Sequence, residues 1–178
     1  MQRVVDKISL CVMQAAGIAI LLIAFAIGFG VFMSLLGSKV AVSFDHAYFL
    51  IGKNVSFNTL LGIQMLLFSF AILAAVPFTW LNDQQVRVDF IYRNYSEKNK
   101  HIVNIIGNIV FAVPFLFFLI PSSIDFALSS FAVDESSRDG GLEDIYVVKA
   151  MIPLGLILMS LVCIYITINS LLSIVRKR

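Results

Sequence analysis

Four long stretches of this chain carry no Asp, Glu, Lys, Arg or His, and they limit what it can fold into. They run from Ile8 to Ser38, Asn54 to Asn82, Ile102 to Ile124 and Ala150 to Val175. A helix of about 20 apolar residues crosses the roughly 30 Å hydrocarbon core of a bilayer. The first stretch is longer than that, so its helix must tilt or run on into the headgroups. The composition agrees, at 60% hydrophobic and 13% charged residues, against about 45–50% and about 25% in soluble domains. The expected fold is an all-α integral membrane protein. Residues 1–178 form a single four-span domain, with spans at about 9–37, 54–82, 102–124 and 150–175.

The first stretch also invites a signal-peptide reading, since Arg3 and Lys7 precede it and Ala24-Phe25-Ala26 mimics a cleavage site. The apolar run continues well past Ala26, however, and the apolar core of a cleaved signal is only about 7–15 residues long. An uncleaved span is expected. Small residues recur along it as Ala15/Ala19, Ala24/Gly28 and Ala26/Gly30/Ser34. That spacing fits close helix packing, and it equally fits the general abundance of Ala and Gly in membrane helices.

The connectors set orientation. Lys and Arg number two at the N-terminus, four in the island 83–101 and three at the C-terminus, against two in each of the loops 38–53 and 125–149. The positive-inside rule puts both termini and the island in the cytoplasm and the two loops outside. Loop 38–53 is too apolar for a simple turn. Phe44, Tyr48, Ile51 and Val55 share one helical face, which predicts an amphipathic helix lying at the interface between the first and second spans. His46 reads as a headgroup-level residue. Pro77 predicts a bend near the end of the second span, and Pro114 and Pro121 a curved third span. Ser96 is the expected N-cap of the third helix, with Glu97 in its first turn. Pro153 is placed in or near the first turn of the fourth.

No reaction chemistry is legible. Pumps and proton-coupled carriers keep ionisable groups at membrane depth despite their cost, and the spans have none. Gln64 and Asn169 read as lone interhelical polar contacts. Bis-His haem ligation fails, because His46 and His101 fall outside the spans on opposite sides. Zinc fails for want of ligands. No phosphate loop or Ser/His/Asp set is present, and Cys11 and Cys163 read as apolar fillers. The chain is therefore expected to be no enzyme, with no cofactor or metal of its own. It reads as an accessory subunit or scaffold of a larger membrane machine, or as a four-helix anchor or assembly subunit of an unrelated complex.

Two segments carry a family resemblance. Gln85-Val86-Arg87-Val88-Asp89-Phe90-Ile91-Tyr92 follows the second span. Glu135-Ser136, Gly141-Leu142 and Lys149-Ala150-Met151-Ile152-Pro153-Leu154-Gly155 lead into the fourth. With the spacing of the spans, the chain resembles the small membrane (Q-type) subunit of TRAP transporters (tripartite ATP-independent periplasmic transporters). It departs in the outer loop, where a tryptophan common in that family is replaced by Tyr146. The resemblance implies a bacterial inner-membrane protein paired with a large multi-span subunit, a separate chain, that holds the substrate and sodium sites and moves as an elevator. It also implies a periplasmic substrate-binding protein that delivers organic acids such as C4-dicarboxylates or sialic acid. Arg87, Asp89 and Tyr92 then become candidates for the large-subunit contact, with anchoring to membrane lipid the other reading. Asp134, Glu135, Arg138, Asp139, Glu143 and Asp144 become candidates for binding-protein docking, with a solvated loop the other reading.

Overall fold

A computed structural model of the chain describes residues 2–37, 40–86, 90, 92–138 and 140–176. The apolar stretches become helices: α1 (Gln2–Leu35), α2 (Phe57–Leu81), α3 (Glu97–Gly107) continuing into α4 (Val113–Ala132), and α5 (Tyr146–Arg176). Four segments of these are long and apolar enough to cross a membrane. The third is longer than its charge-free run suggests. It extends without interruption from Glu97 to Ala132, roughly 54 Å at 1.5 Å per residue, and so takes in Asp125. Ser96 caps α3 as expected, its hydroxyl accepting from the Asn99 N–H, and Glu97 occupies the first turn. Pro153 does not sit in a first turn, because α5 begins at Tyr146. The Asp-Ile-Tyr stretch ahead of the charge-free run is already winding into helix, so Pro153 lies about two turns in.

A π-helical turn over Asn108–Ala112 joins α3 to α4. Its cause is local. Pro114 has no N–H to donate, and in a regular α-helix its ring would press on the carbonyl of Val110. Widening the turn relieves that contact, and the Val113 N–H reaches back to the Asn108 carbonyl.

The helices pack as a row. The principal contacts run from α1 to α2, from α2 to α5 and from α5 to α4, with α3 also resting on α5. The α1–α2 seam is made of small side chains: Ala16, Ala19 and Ala71 are buried, with Leu67 and Ala75 against them. Gly30 continues this seam, its α-carbon facing the Phe57 ring so closely that a Cβ would lie 3.2 Å from Cε2. Ala24 and Gly28, by contrast, are exposed. Of the small-residue sets read from the sequence, Ala19 and Gly30 belong to a packed seam and Ala24/Gly28 does not. At the α2–α5 crossing a Cβ on Gly155 would lie 2.6 Å from Leu73 Cβ, so glycine sets the approach distance there. Leu116 and Cys163 are buried and line a common cleft between α4 and α5, and Asn108 Nδ2 of the π turn donates to Thr167 Oγ1 of α5 at 2.9 Å.

The expected interfacial helix between the first two spans does not form. In its place stands an antiparallel hairpin, β1 (Val40–Tyr48) paired with β2 (Gly52–Ser56). Val40, Val42, Phe44 and Tyr48 are residue types that favour a strand, and the ladder absorbs register shifts between Val40 and Val42 and between Ser43 and Tyr48. The helical spacing of Phe44, Tyr48, Ile51 and Val55 ignored Gly52, whose φ of 69° closes the turn instead. Ser56 ends β2 and caps α2, exchanging hydrogen bonds with Thr59 in a capping box.

Candidate functional site

The molecule has two polar ends separated by apolar helix. One carries the hairpin and the loop between α4 and α5, whose sequence holds five of the chain's eleven acidic residues. The other carries the termini and the basic island.

At the acidic end the hairpin and loop form one cap. The turn of the hairpin holds Leu50 at φ 68°, a region costly for a branched side chain. Both of its backbone polar groups are tied to the loop. The Leu50 N–H donates to Asp144 Oδ2 at 2.9 Å, and its carbonyl accepts from the Glu143 N–H at 3.1 Å. Gly52 lies against the Glu143 side chain where a Cβ would collide. Ser56 Oγ donates to the Gly140 carbonyl at 3.2 Å. Leu142 is the plug. It is 3% exposed, and its Cγ would lie 2.5 Å from a Cβ on Gly62 of α2.

A second cluster closes the loop from α4 to α5. Lys149, in the first turn of α5, pairs with Glu135 and stands over the Phe126 ring at 4.3 Å. Ser130 Oγ donates to the same Glu135 oxygen at 2.7 Å. The Lys149 contact first, then the Ser130 hydroxyl, hold the Glu135 carboxyl below the usual carboxylate range, with Arg138 adding to the effect. Tyr146 packs edge-on against Phe131 with centroids 5.0 Å apart.

The six outer-loop candidates thus divide. Glu135 and Asp144 are engaged inside the cap, the first by Lys149 and Ser130 and the second by the hairpin turn. Asp134, Arg138 and Glu143 are exposed. Asp139 lies outside the described residues.

At the basic end Arg87 and Asp89 also lie outside the described residues. Tyr92 opens a short 3-10 turn, Tyr92–Asn94. It points back at the bundle, its hydroxyl 3.2 Å from Asn104 Oδ1 and Lys100 Nζ 6.0 Å from its ring centroid. Asn82 Nδ2 donates to Ser9 Oγ at 2.7 Å, tying the end of α2 to the start of α1.

Among the described residues, side-chain hydrogen bonds between spans are made by Asn108 with Thr167 and by Asn82 with Ser9, rather than by Gln64 or Asn169. The signal was present. Asn104 and Asn108 are four apart in an otherwise apolar run, the spacing that puts two side chains on one helical face. Within the described residues no group of three or more potential metal ligands is brought together.

The family model for the DctQ component of tripartite ATP-independent periplasmic transporters matches residues 47–173. No curated protein and no solved structure matches the chain.

Proposed function

The chain belongs to the DctQ-component family of tripartite ATP-independent periplasmic transporters, and from that premise we propose that it is a non-catalytic scaffold for the transporter's large subunit. In this reading it sits in the bacterial inner membrane with both termini in the cytoplasm. The large subunit is a separate chain that holds the substrate and sodium sites and moves against this one. A periplasmic binding protein supplies an organic acid, such as a C4-dicarboxylate or a sialic acid.

The observation that carries the scaffold reading is the open row of helices. Only 11% of the most apolar stretch of α1 and 22% of that of α5 is buried within the chain. Large side chains such as Phe25, Phe111, Phe117 and Phe118 are more than 70% exposed. Such faces are covered by lipid or by another subunit's helices, and in a membrane close packing rather than water exclusion selects the subunit.

Two contact regions follow from the same reading. Arg87, Asp89 and Tyr92 hold the cytoplasmic edge of the subunit contact. Asp134, Arg138, Asp139 and Glu143 present charge to the binding protein, while Glu135 and Asp144 keep the cap beneath them in shape.

Reconstitution tests this. Liposomes holding the large subunit and its binding protein should accumulate a carboxylate under an inward sodium gradient only when this chain is included. Equal uptake without it contradicts the scaffold role. Charge reversal at Asp134 and Glu143 should slow that uptake and flatten its salt dependence, and unchanged salt dependence contradicts docking there.

A further inference from the structure

Two clefts meet at the basic end, and their linings differ in kind. The first is open, about 390 Å³ in volume, and lined by Asn82, His101, Asn104, Tyr165, Asn169 and Ser170 among others. None of the described residues that line it is acidic. The second, about 610 Å³, is apolar and runs along α3, the π turn and α4. Trp80 of α2, Phe111, Phe115 and Leu116, and Met159 of α5 line it. Asn104 lines both, so the clefts adjoin at that residue. Met159 and Ile166 are seven apart, which keeps the α5 side of both clefts on one helical face.

We propose that these clefts form a phospholipid site, with the phosphate of the headgroup in the polar cleft and an acyl chain in the apolar groove. The chemistry is complementary part by part. Among the described residues the cleft offers neutral donors from Asn, Tyr and Ser, together with an imidazole, and no carboxylate to repel a phosphodiester. The Tyr92 hydroxyl donates to Asn104 Oδ1, so the donor that Asn104 can offer a ligand is its Nδ2. Donors without opposing acid suit a phosphate oxygen, and a cleft between helices at the basic boundary is where anionic headgroups gather. Trp80 marks the depth at which headgroup gives way to hydrocarbon. A free phosphate would use the first cleft alone; the groove commits the site to a lipid.

The groove also supplies a clean variant. A Cβ at Gly107 meets nothing within 4 Å, so Gly107→Phe can fill the groove without disturbing the helix, while His101→Glu puts repulsive charge in the headgroup cleft. The full chain is purified in mild detergent, and retained lipid is read by native mass spectrometry and by lipid extraction. The wild type is expected to hold one phospholipid. Each variant should lower the retained fraction about tenfold, the fold-change that about 1.4 kcal/mol of lost binding produces, with His101→Gln retaining most of it. Inorganic phosphate should not displace the lipid. An absence of bound lipid, retention unchanged in Gly107→Phe, or displacement by inorganic phosphate would each overturn the site. The readout concerns this chain alone, so its failure leaves the scaffold reading standing, and failed reconstitution leaves the lipid site standing.

Discussion

Leu50 is the residue that explains why the acidic loop has its shape. A left-handed conformation costs a branched residue roughly 1–2 kcal/mol, and here two hydrogen bonds to the loop hold it in place. Leu50→Gly should therefore raise thermal stability in detergent by up to about 1 kcal/mol. Asp144→Ala should lower it by about 1 kcal/mol and open the Tyr48–Phe49 turn to chymotrypsin. Unaltered cleavage in Asp144→Ala would show that the loop does not hold the hairpin. Glu135 gives a pH dependence with a definite sign. Its folded-state pKa is depressed by Lys149 and Ser130. The stabilisation is therefore fully present above the ordinary Glu value of about 4.3 and is lost as pH falls through the folded-state value. Melting temperature should drop below about pH 4.3, and Lys149→Met should flatten most of that drop. None of these partnerships was legible in the sequence. The charges were plain, but pairing Asp144 with Leu50 requires a hairpin that brings residues 94 apart in the chain into contact.

The elements were legible in proportion to their length. Charge-free runs locate the spans because each is an autonomous helix whose backbone must satisfy itself in lipid. Their ends were harder to place. Helix continued into Asp125 and back to Tyr146 because helical hydrogen bonding does not stop where charge begins. The short connector was misread because a few apolar residues fit both a period of 3.6 and a period of 2, and only Gly52 and the strand-favouring residues decide between them. The approach of α2 to α5 depends on one glycine. Gly155→Ala should destabilise the chain by about 1–3 kcal/mol, since its Cβ would lie 2.6 Å from Leu73 Cβ. Gly107→Ala, with open space around it, should be neutral or stabilising by up to about 1 kcal/mol. Thermal unfolding of the two variants side by side checks this, and equal losses would contradict the packing at Leu73.

At the scale of the molecule, the row α1–α2–α5–α4 leaves broad apolar faces with little of the chain itself to cover them. The small-residue seam, the Gly155 contact and the Asn108–Thr167 hydrogen bond hold the row together, and the cap fixes its acidic end. Composition foretold the membrane and the number of spans. It could not foretell a row rather than a closed bundle, because that follows from which faces meet. The measurement closest to the central claim is a tagged pull-down of this chain from native membranes in mild detergent, with partners identified by mass. The account predicts a large multi-span protein in stoichiometric amount. Recovery of the chain alone, or with the subunits of a redox complex, would contradict it.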